Sequence, residues 1–477
     1  MADLARSTQC QRTGDGRVDP SRLATLLAPW EGRGPAYQSV ASGLRALALD
    51  GRLAVGERVP SERDLAGALG VGRGTVTAAF DVLRTEGYLT SDRGGGSRIA
   101  LPAAHPQRPD TPFGGGEQAL DLTVAALPAP AQVLPAVERA TVALRPWLAG
   151  HGLHPFGLPE LREQVAVHLT ARGLSTRAEQ VLVTGGALHG WDLVLAALAR
   201  TGDRVVVEQP TYPAVLDAVA ARGLRAVPLP VTVRGWELAG RQGVLAHVTP
   251  DAQNPTGLVA TTAQRRLLLA GLVGARVVAD ETFADLVLEG PLPRPLGALR
   301  SDVVSLGSMS KAFWAGLRVG WVRAAPEVLV RLAQQRGASD LAGPVLDQLV
   351  ALELLKVAQE VLTERREHLR RCRDALLEEL GRVLPDWGCE VPRAGMVLWV
   401  ELPETGATRL AAHALDLGLR VTAGPRFTVD GTADRFLRLP FTQPPERVRE
   451  VVRLLAAAAV LTRSPAAPRR SPLQWTA

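Results

Sequence analysis

The sequence predicts an α/β protein. A mostly parallel, doubly wound sheet occupies residues 119–462, with a smaller α/β subdomain from about residue 360, and a separate helix-rich domain precedes it at residues 34–100. Three observations predict this. Short apolar runs alternate with helical patterns: QVLVT (180–184), DRVVVE (203–208), GVLAHVT (243–249), ARVVAD (275–280) and DVVSLG (302–307). Such alternation is the signature of stacked βα units. Ahead of them, LPAAHPQRPDTPFGGGEQ (101–118) is rich in Pro and Gly and reads as a linker. Before the linker, apolar residues recur at helical spacing between residues 37 and 86.

Bulk properties bound the rest. At 477 residues the chain has room for roughly two to four domains. It is 46% apolar and 21% charged, so it can bury a large core and is not a disordered polyelectrolyte. A net charge of +6 permits nucleic-acid binding without demanding it. Cys10, Cys372 and Cys389 lie far apart with no CxxC spacing, which argues against a disulfide framework or a zinc site and fits a reducing cytosol. The start, MADLARSTQCQRTGDGR, has no apolar signal-peptide core, and no apolar run is long enough to span a membrane. A cytoplasmic protein is therefore expected, with residues 1–33 flexible and the tail 463–477 disordered.

In the N-terminal domain, YQSVASGLRALALD (37–50) reads as a first helix ended by Gly51. A second starts at Pro60, with Ser61 as its cap and Asp64 completing a capping box. Gly70 breaks it, and a third helix runs from about Gly72 to Glu86 on Val76, Ala79, Phe80 and Leu83. Arg73, Gly74, Thr75 and Thr77 face outward near its start, as a recognition helix requires. Residues 87–90 and 97–99 can pair as a wing. The run PSERDLAGALGVGRGTVTAAFDVLRTEGYL resembles the GntR-type winged helix-turn-helix. The resemblance implies that Arg63 and Arg73 contact double-stranded DNA, with Gly74 beside them and Thr75 on a phosphate or base edge. The chain departs from relatives at Gly72 and Gly74, where they often carry Ser or Thr, so fewer hydroxyl contacts to phosphate are expected.

Lysine is nearly absent from the whole chain: of its 54 basic residues, only Lys311 and Lys356, both in the large domain, are lysines. Arginine cannot form a Schiff base and lysine can, so a retained lysine is a candidate for chemistry. Lys356 sits in a helical pattern and reads as a solvated surface residue. Lys311, in SLGSMSKAFWAGLRVGW, does not. Other residues align around it. Gly186 and Ala187, in TGGALH, follow a strand and open a helix, where backbone amides can bind phosphate. Tyr212 can stack on a ring, and Asn254, in QNPTG, can donate to a ring oxygen. Asp280 ends a strand and can hold a pyridine nitrogen protonated. Ser308 and Ser310 precede Lys311 and Arg318 follows it, so Ser308 and Arg318 can take a phosphate while the lysine reaches an aldehyde. These are the groups that pyridoxal 5'-phosphate asks of a protein.

Residues 119–462 resemble a fold-type-I aminotransferase, and the joining to a GntR-type reader is the architecture of the MocR subfamily of transcription regulators. The resemblance implies a Schiff base at Lys311, with Asp280, Asn254 and Tyr212 in the roles above. It also implies that Arg438, in FLRLPF, meets an effector carboxylate, and that the chain forms a domain-swapped homodimer. The effector is a small amine, an amino acid or the cofactor itself. Two departures lean toward binding over turnover. Phe283 stands where the enzymes usually place a tyrosine, and HGLHPFGLPELR lacks the tyrosine expected there, with His154 as its candidate substitute. One alternative stays open, a working aminotransferase with an accessory DNA module; Lys311 argues against a regulator that senses without the cofactor. For the first reading, an amine that takes the place of Lys311 on the cofactor closes the cradle, shifts the dimer and changes the spacing of the readers.

Overall fold

The computed structural model describes residues 18–27, 36–49, 52–85, 87–92, 96–100, 120–232, 234–238 and 240–463. The linker 101–118 and the tail from 464 on lie outside the described residues, as do residues 1–17.

The reader domain forms from local signals. Ser61, in extended backbone, accepts a hydrogen bond from the Asp64 amide and starts the helix Glu62–Leu69; Gly70 ends it at φ 67°, a left-handed conformation in which glycine carries no Cβ strain. The next helix is Arg73–Thr85. Strands Leu89–Asp92 and Gly96–Ile99 pair antiparallel as the wing, with Leu89 opposite Ile99. Leu44 and Leu47, from the helix Ala36–Leu49, pack with Leu65, Val76, Phe80 and Leu83 in one buried cluster. Residues 1–33, expected as a flexible segment, include a helix at Pro20–Leu27. Its Leu23 and Leu27 are buried in that same cluster, so a short apolar face anchors it.

The large sheet runs in the spatial order Val181–Thr184, Gly320–Arg323, Val304–Ser308, Arg276–Asp280, Leu245–Val248, Arg204–Gln209, Arg225–Thr232, Gly235–Trp236. The pairings from Val304–Ser308 through Arg225–Thr232 are parallel. Alternate side chains enter two different cores. Val205, Val207 and Val278 belong to one cluster, with Trp191 and Leu329. Val206, Val277 and Ala279 belong to another, with Leu268 and Leu272. Burial on both faces is why these strands read as unbroken apolar runs. Gly320–Arg323 is antiparallel to both its neighbours. It passes very close to the phosphate-type turn: a Cβ on Gly320 would stand 2.7 Å from the Gly186 Cα and 2.5 Å from the Gly307 oxygen.

The smaller subdomain holds the long helix Ala358–Val383, a sheet of Gly388–Cys389, Val397–Glu401, Phe436–Pro440 and Thr422–Ala423, and the helices Ala407–Asp416 and Pro445–Arg463. Leu120–Asp121, the first described chain after the linker, pairs in parallel with Leu419–Arg420. The reader helix Ala36–Leu49 packs against Ala407–Asp416. Beside that contact Arg52 Nη2 donates to Thr408 Oγ1 at 3.2 Å. No described helix is long and apolar enough to cross a membrane.

Candidate functional site

Loops at the C-terminal ends of the parallel strands meet beside the helix Met309–Ala312, the usual place for a ligand in an open α/β sheet. One end of the site is a cradle of donors. Gly186 adopts φ 111° ahead of the helix Ala187–Leu198. A Cβ there would stand 3.4 Å from Arg318 Nη2 and 3.8 Å from Ser308 Oγ, so the three groups converge on one spot. Arg318 itself sits in the left-handed region at φ 52°. Its Nη2 donates to the Gly185 oxygen at 2.6 Å, and its Nη1 lies 3.5 Å from Ser310 Oγ. The Ser310 amide donates to Ser308 Oγ at 3.1 Å. A guanidinium, hydroxyls and helix-start amides in one place suit a phosphate.

Next to the cradle, Lys311 Nζ donates to the Ala125 carbonyl at 2.8 Å. Burial, aided by the cations Arg438 and Arg318 and opposed by Asp280, pushes its pKa down to about 8. Asp280 accepts from the Thr282 amide at 2.9 Å through Oδ1. Tyr212 lies within electrostatic reach of Arg438, Asp280 and Arg318; burial raises its pKa. Asn254 is buried, and its Oδ1 has no hydrogen-bond partner among the described residues. Phe283 is buried in the apolar core and brings no hydroxyl to the site. An enclosed amine, a carboxylate, a buried amide and an anion cradle together fit pyridoxal phosphate.

Several residues that sequence reasoning missed support these. His247 is fully buried, with Nε2 3.9 Å from Asp280 Oδ2 and its ring edge-on to Trp191 at 4.8 Å. Burial keeps its pKa low, so the ring is neutral beside the carboxylate. The signal was present: a lone histidine inside the otherwise apolar strand LAHV. Arg172 bridges two of the loops, at 3.5 Å from Asp251 and 3.2 Å from Glu281, while the buried Arg265 also pairs with Asp251. Glu208 accepts from Trp236 Nε1 at 2.7 Å and Gln253 Nε2 at 3.1 Å, the latter beside Asn254. Burial pushes its pKa up to about 7, against those hydrogen bonds.

At the far end, Arg438 is buried, lies over the Phe427 ring at 5.3 Å and donates to the Thr123 carbonyl. Burial pushes its pKa down to about 10, against the pull of Tyr212 and Asp121. His154 packs edge-on against Trp147 at 4.9 Å.

On the reader, Arg63, Arg73 and Gly74 are exposed and Thr75 is half-buried, around the start of the helix Arg73–Thr85. Thr77, expected to face outward, instead donates to Glu62 at 2.8 Å. Glu62 also pairs with Arg84 at 3.3 Å and lies 3.8 Å from Arg73, so one carboxylate ties the two helices together. A Cβ on Gly74 would meet no protein atom within 4 Å, so the surface there is open.

The Lys311 amine reacts only when neutral. Mixed with pyridoxal phosphate, the protein is expected to develop the visible band of the lysine-bound cofactor roughly tenfold faster at pH 7 than at pH 6, with the rate levelling off above about pH 8. Stopped-flow absorbance across pH 6–10 checks this, and a rate still climbing near pH 10 contradicts it.

Residues 130–455 match the family described as aminotransferase class I and II, and residues 36–99 match the bacterial regulatory proteins of the gntR family. The HTH-type transcriptional regulator YisV of Bacillus subtilis is 27% identical over 86% of this chain and 92% of its own length. The 2-aminoadipate transaminase of Thermus thermophilus is 34% identical over 60% of this chain and 77% of its own. Among solved structures, the alpha-aminoadipate aminotransferase LysN of Thermus thermophilus, complexed with N-(5'-phosphopyridoxyl)-L-leucine, superposes with TM-score 0.65 at 28% identity, over 72% of this chain and 93% of that one. The chain belongs to the aminotransferase class I and II family and carries, ahead of that domain, the DNA-binding domain of the bacterial gntR regulators.

Proposed function

We propose that this chain is a transcription regulator that uses pyridoxal phosphate to sense a small amine or amino acid. The observation that carries the proposal is the gathering of Lys311, Asp280, Asn254 and the Gly186–Ser308–Arg318 cradle in a domain joined by one chain to a helix-turn-helix. When bound, the cofactor supplies an aldehyde that takes up amines and a ring that withdraws electrons. The residues of this chain do the rest. Gly186, Ala187, Ser308, Ser310 and Arg318 hold the phosphate. Asp280, backed by the neutral His247, keeps the ring nitrogen protonated. Asn254 meets the ring oxygen, Tyr212 covers the ring, and Arg438 receives the carboxylate of the effector. In the reader, Arg63, Arg73 and Thr75 contact DNA, and the open surface at Gly74 admits close approach of a phosphate backbone. We take 34–100 as the reader and 119–462 as the sensing domain, and place the protein in the cytoplasm, where its DNA is.

We further read the assembly as a homodimer. Leu134, Val142 and Leu148 are 67%, 66% and 71% exposed on neighbouring elements, and Leu153, Leu341 and Leu346 are exposed nearby. So much exposed aliphatic surface suits a face covered by a second copy. Within one chain the reader rests on its own Ala407–Asp416 helix. Domain swapping places it on the same seat of the partner. Light scattering of the full chain should give the mass of two copies; a single-copy mass contradicts this.

The functional test is binding of a DNA duplex taken from the upstream region of the chain's own gene, with pyridoxal phosphate present and a panel of amino acids added. At least one amino acid is expected to change the affinity of the wild-type protein within the range of about 5- to 150-fold usual for coupled sites. The Lys311→Ala protein should keep its DNA binding and lose that response. Loss of DNA binding by neither protein, with no response in either, would leave the aminotransferase reading as the better one. That reading predicts steady amino-group transfer to a keto acid by the wild-type protein.

A further inference from the structure

One extended segment, Leu120–Pro128, is held by the very cations that the cofactor and effector would engage. Arg438 donates to the Thr123 carbonyl and Lys311 to the Ala125 carbonyl; beyond the site, Arg365 donates to the Pro128 carbonyl. Leu122, Ala125 and Leu127 are buried, so the segment is packed as well as bonded. Its other end belongs to the smaller subdomain. The Leu120 amide donates to the Gly418 oxygen at 3.0 Å and the Leu122 amide to the Arg420 oxygen at 2.8 Å. Asp121 pairs with Arg420 at 2.8 Å and also accepts from the Thr123 amide at 2.7 Å.

The bond at Arg438 is a weak one for its place. A buried guanidinium is costly unless its donors meet charge. Here its hydrogen bond goes to a neutral carbonyl, the Asp121 carboxylate acts on it only through space, and its Nε has no hydrogen-bond partner among the described residues. A carboxylate accepts charge-assisted bonds roughly twice as strong and takes two guanidinium donors at once. The carbonyl therefore holds Arg438 only until a carboxylate competes for it.

We propose that the Thr123 carbonyl is an internal stand-in for the effector carboxylate, and that a carboxylate arriving at Arg438 releases the segment Leu120–Pro128 and through it the seat of the reader. The inference rests on the proposed sensing function. The route from the segment to the reader is Leu419–Arg420, which follows closely on the helix Ala407–Asp416 on which the reader helix packs and where Arg52 meets Thr408. Lys311 adds a cofactor-dependent latch. A cofactor held through the Lys311 amine would take that donor away from the Ala125 carbonyl. Only the Thr123 latch distinguishes a ligand with a carboxylate from one without.

Amide hydrogen exchange on the full-length protein tests this with two probes. Pyridoxamine 5'-phosphate carries the ring and phosphate; N-(5'-phosphopyridoxyl)-L-leucine adds a carboxylate. Both should slow exchange in residues 184–190, which reports binding. Only the leucine adduct should speed exchange at residues 120–124, by about tenfold for the loss of one anchoring hydrogen bond, and it should also change exchange in 407–416. In Arg420→Gln, which removes the ion pair to Asp121 and leaves Asp121, Thr123, Lys311 and Arg438 in place, the change in 407–416 should shrink. Binding of both probes with equal or slower exchange at 120–124 under the adduct overturns the latch. A released segment with 407–416 unchanged in the wild type overturns the transmission. Failure of both probes to bind overturns the sensing function itself, and the latch with it.

Discussion

The site depends on an amine enclosed among cations. Lys311 faces Arg438 and Arg318, with Asp280 as the opposing charge, and burial is the larger influence on it. Removing water and adding positive neighbours both disfavour the ammonium form. The result is a lysine whose proton is more easily lost than usual, in a chain whose other cations are almost all arginines that keep theirs at neutral pH. The arrangement holds only while the strand ends stay in register. That is why the half-buried Arg172 and the buried Arg265 matter: Arg172 ties the loop before Asn254 to the residue after Asp280, and Arg265 holds the same Asp251 from behind.

The same loops connect chemistry to the reader. Arg438 stands on the strand Phe436–Pro440, between Val397–Glu401 and Thr422–Ala423. The subdomain built on that sheet carries the helix against which the reader packs. Under the proposed sensing function, a ligand at Arg438 would act on the subdomain that seats the reader, and to shift DNA binding it would have to favour one seating over another.

Much of this was legible from residues because the chemistry needs particular side chains. Lys311, Asp280, Asn254, Ser308 and Arg318 each sit after a strand or in a Gly- or Pro-marked turn, and the structure gathers them at the strand ends. The reader was legible from caps and helical spacing: Ser61, Gly70 and the Val76–Leu83 face lie where the pattern put them. The less legible parts are those made by backbone. Gly320–Arg323 opens on a glycine and so does not read as a central strand, yet close packing against Gly186 and Gly307 requires that glycine. The contacts of Thr123 and Ala125 use carbonyl oxygens, which every residue has, so no sequence pattern marks them. The helix Pro20–Leu27 was missed because two leucines make too short an apolar face to stand out in a polar stretch.

The claim beneath all of this is that the amine of Lys311 is where the cofactor attaches. Incubation with pyridoxal phosphate, reduction with borohydride and peptide mass mapping test it most directly. The account predicts a single pyridoxyl adduct, on the peptide that contains Lys311 and not on the one that contains Lys356. An adduct on Lys356 alone, or none on Lys311 at saturating cofactor, would contradict it.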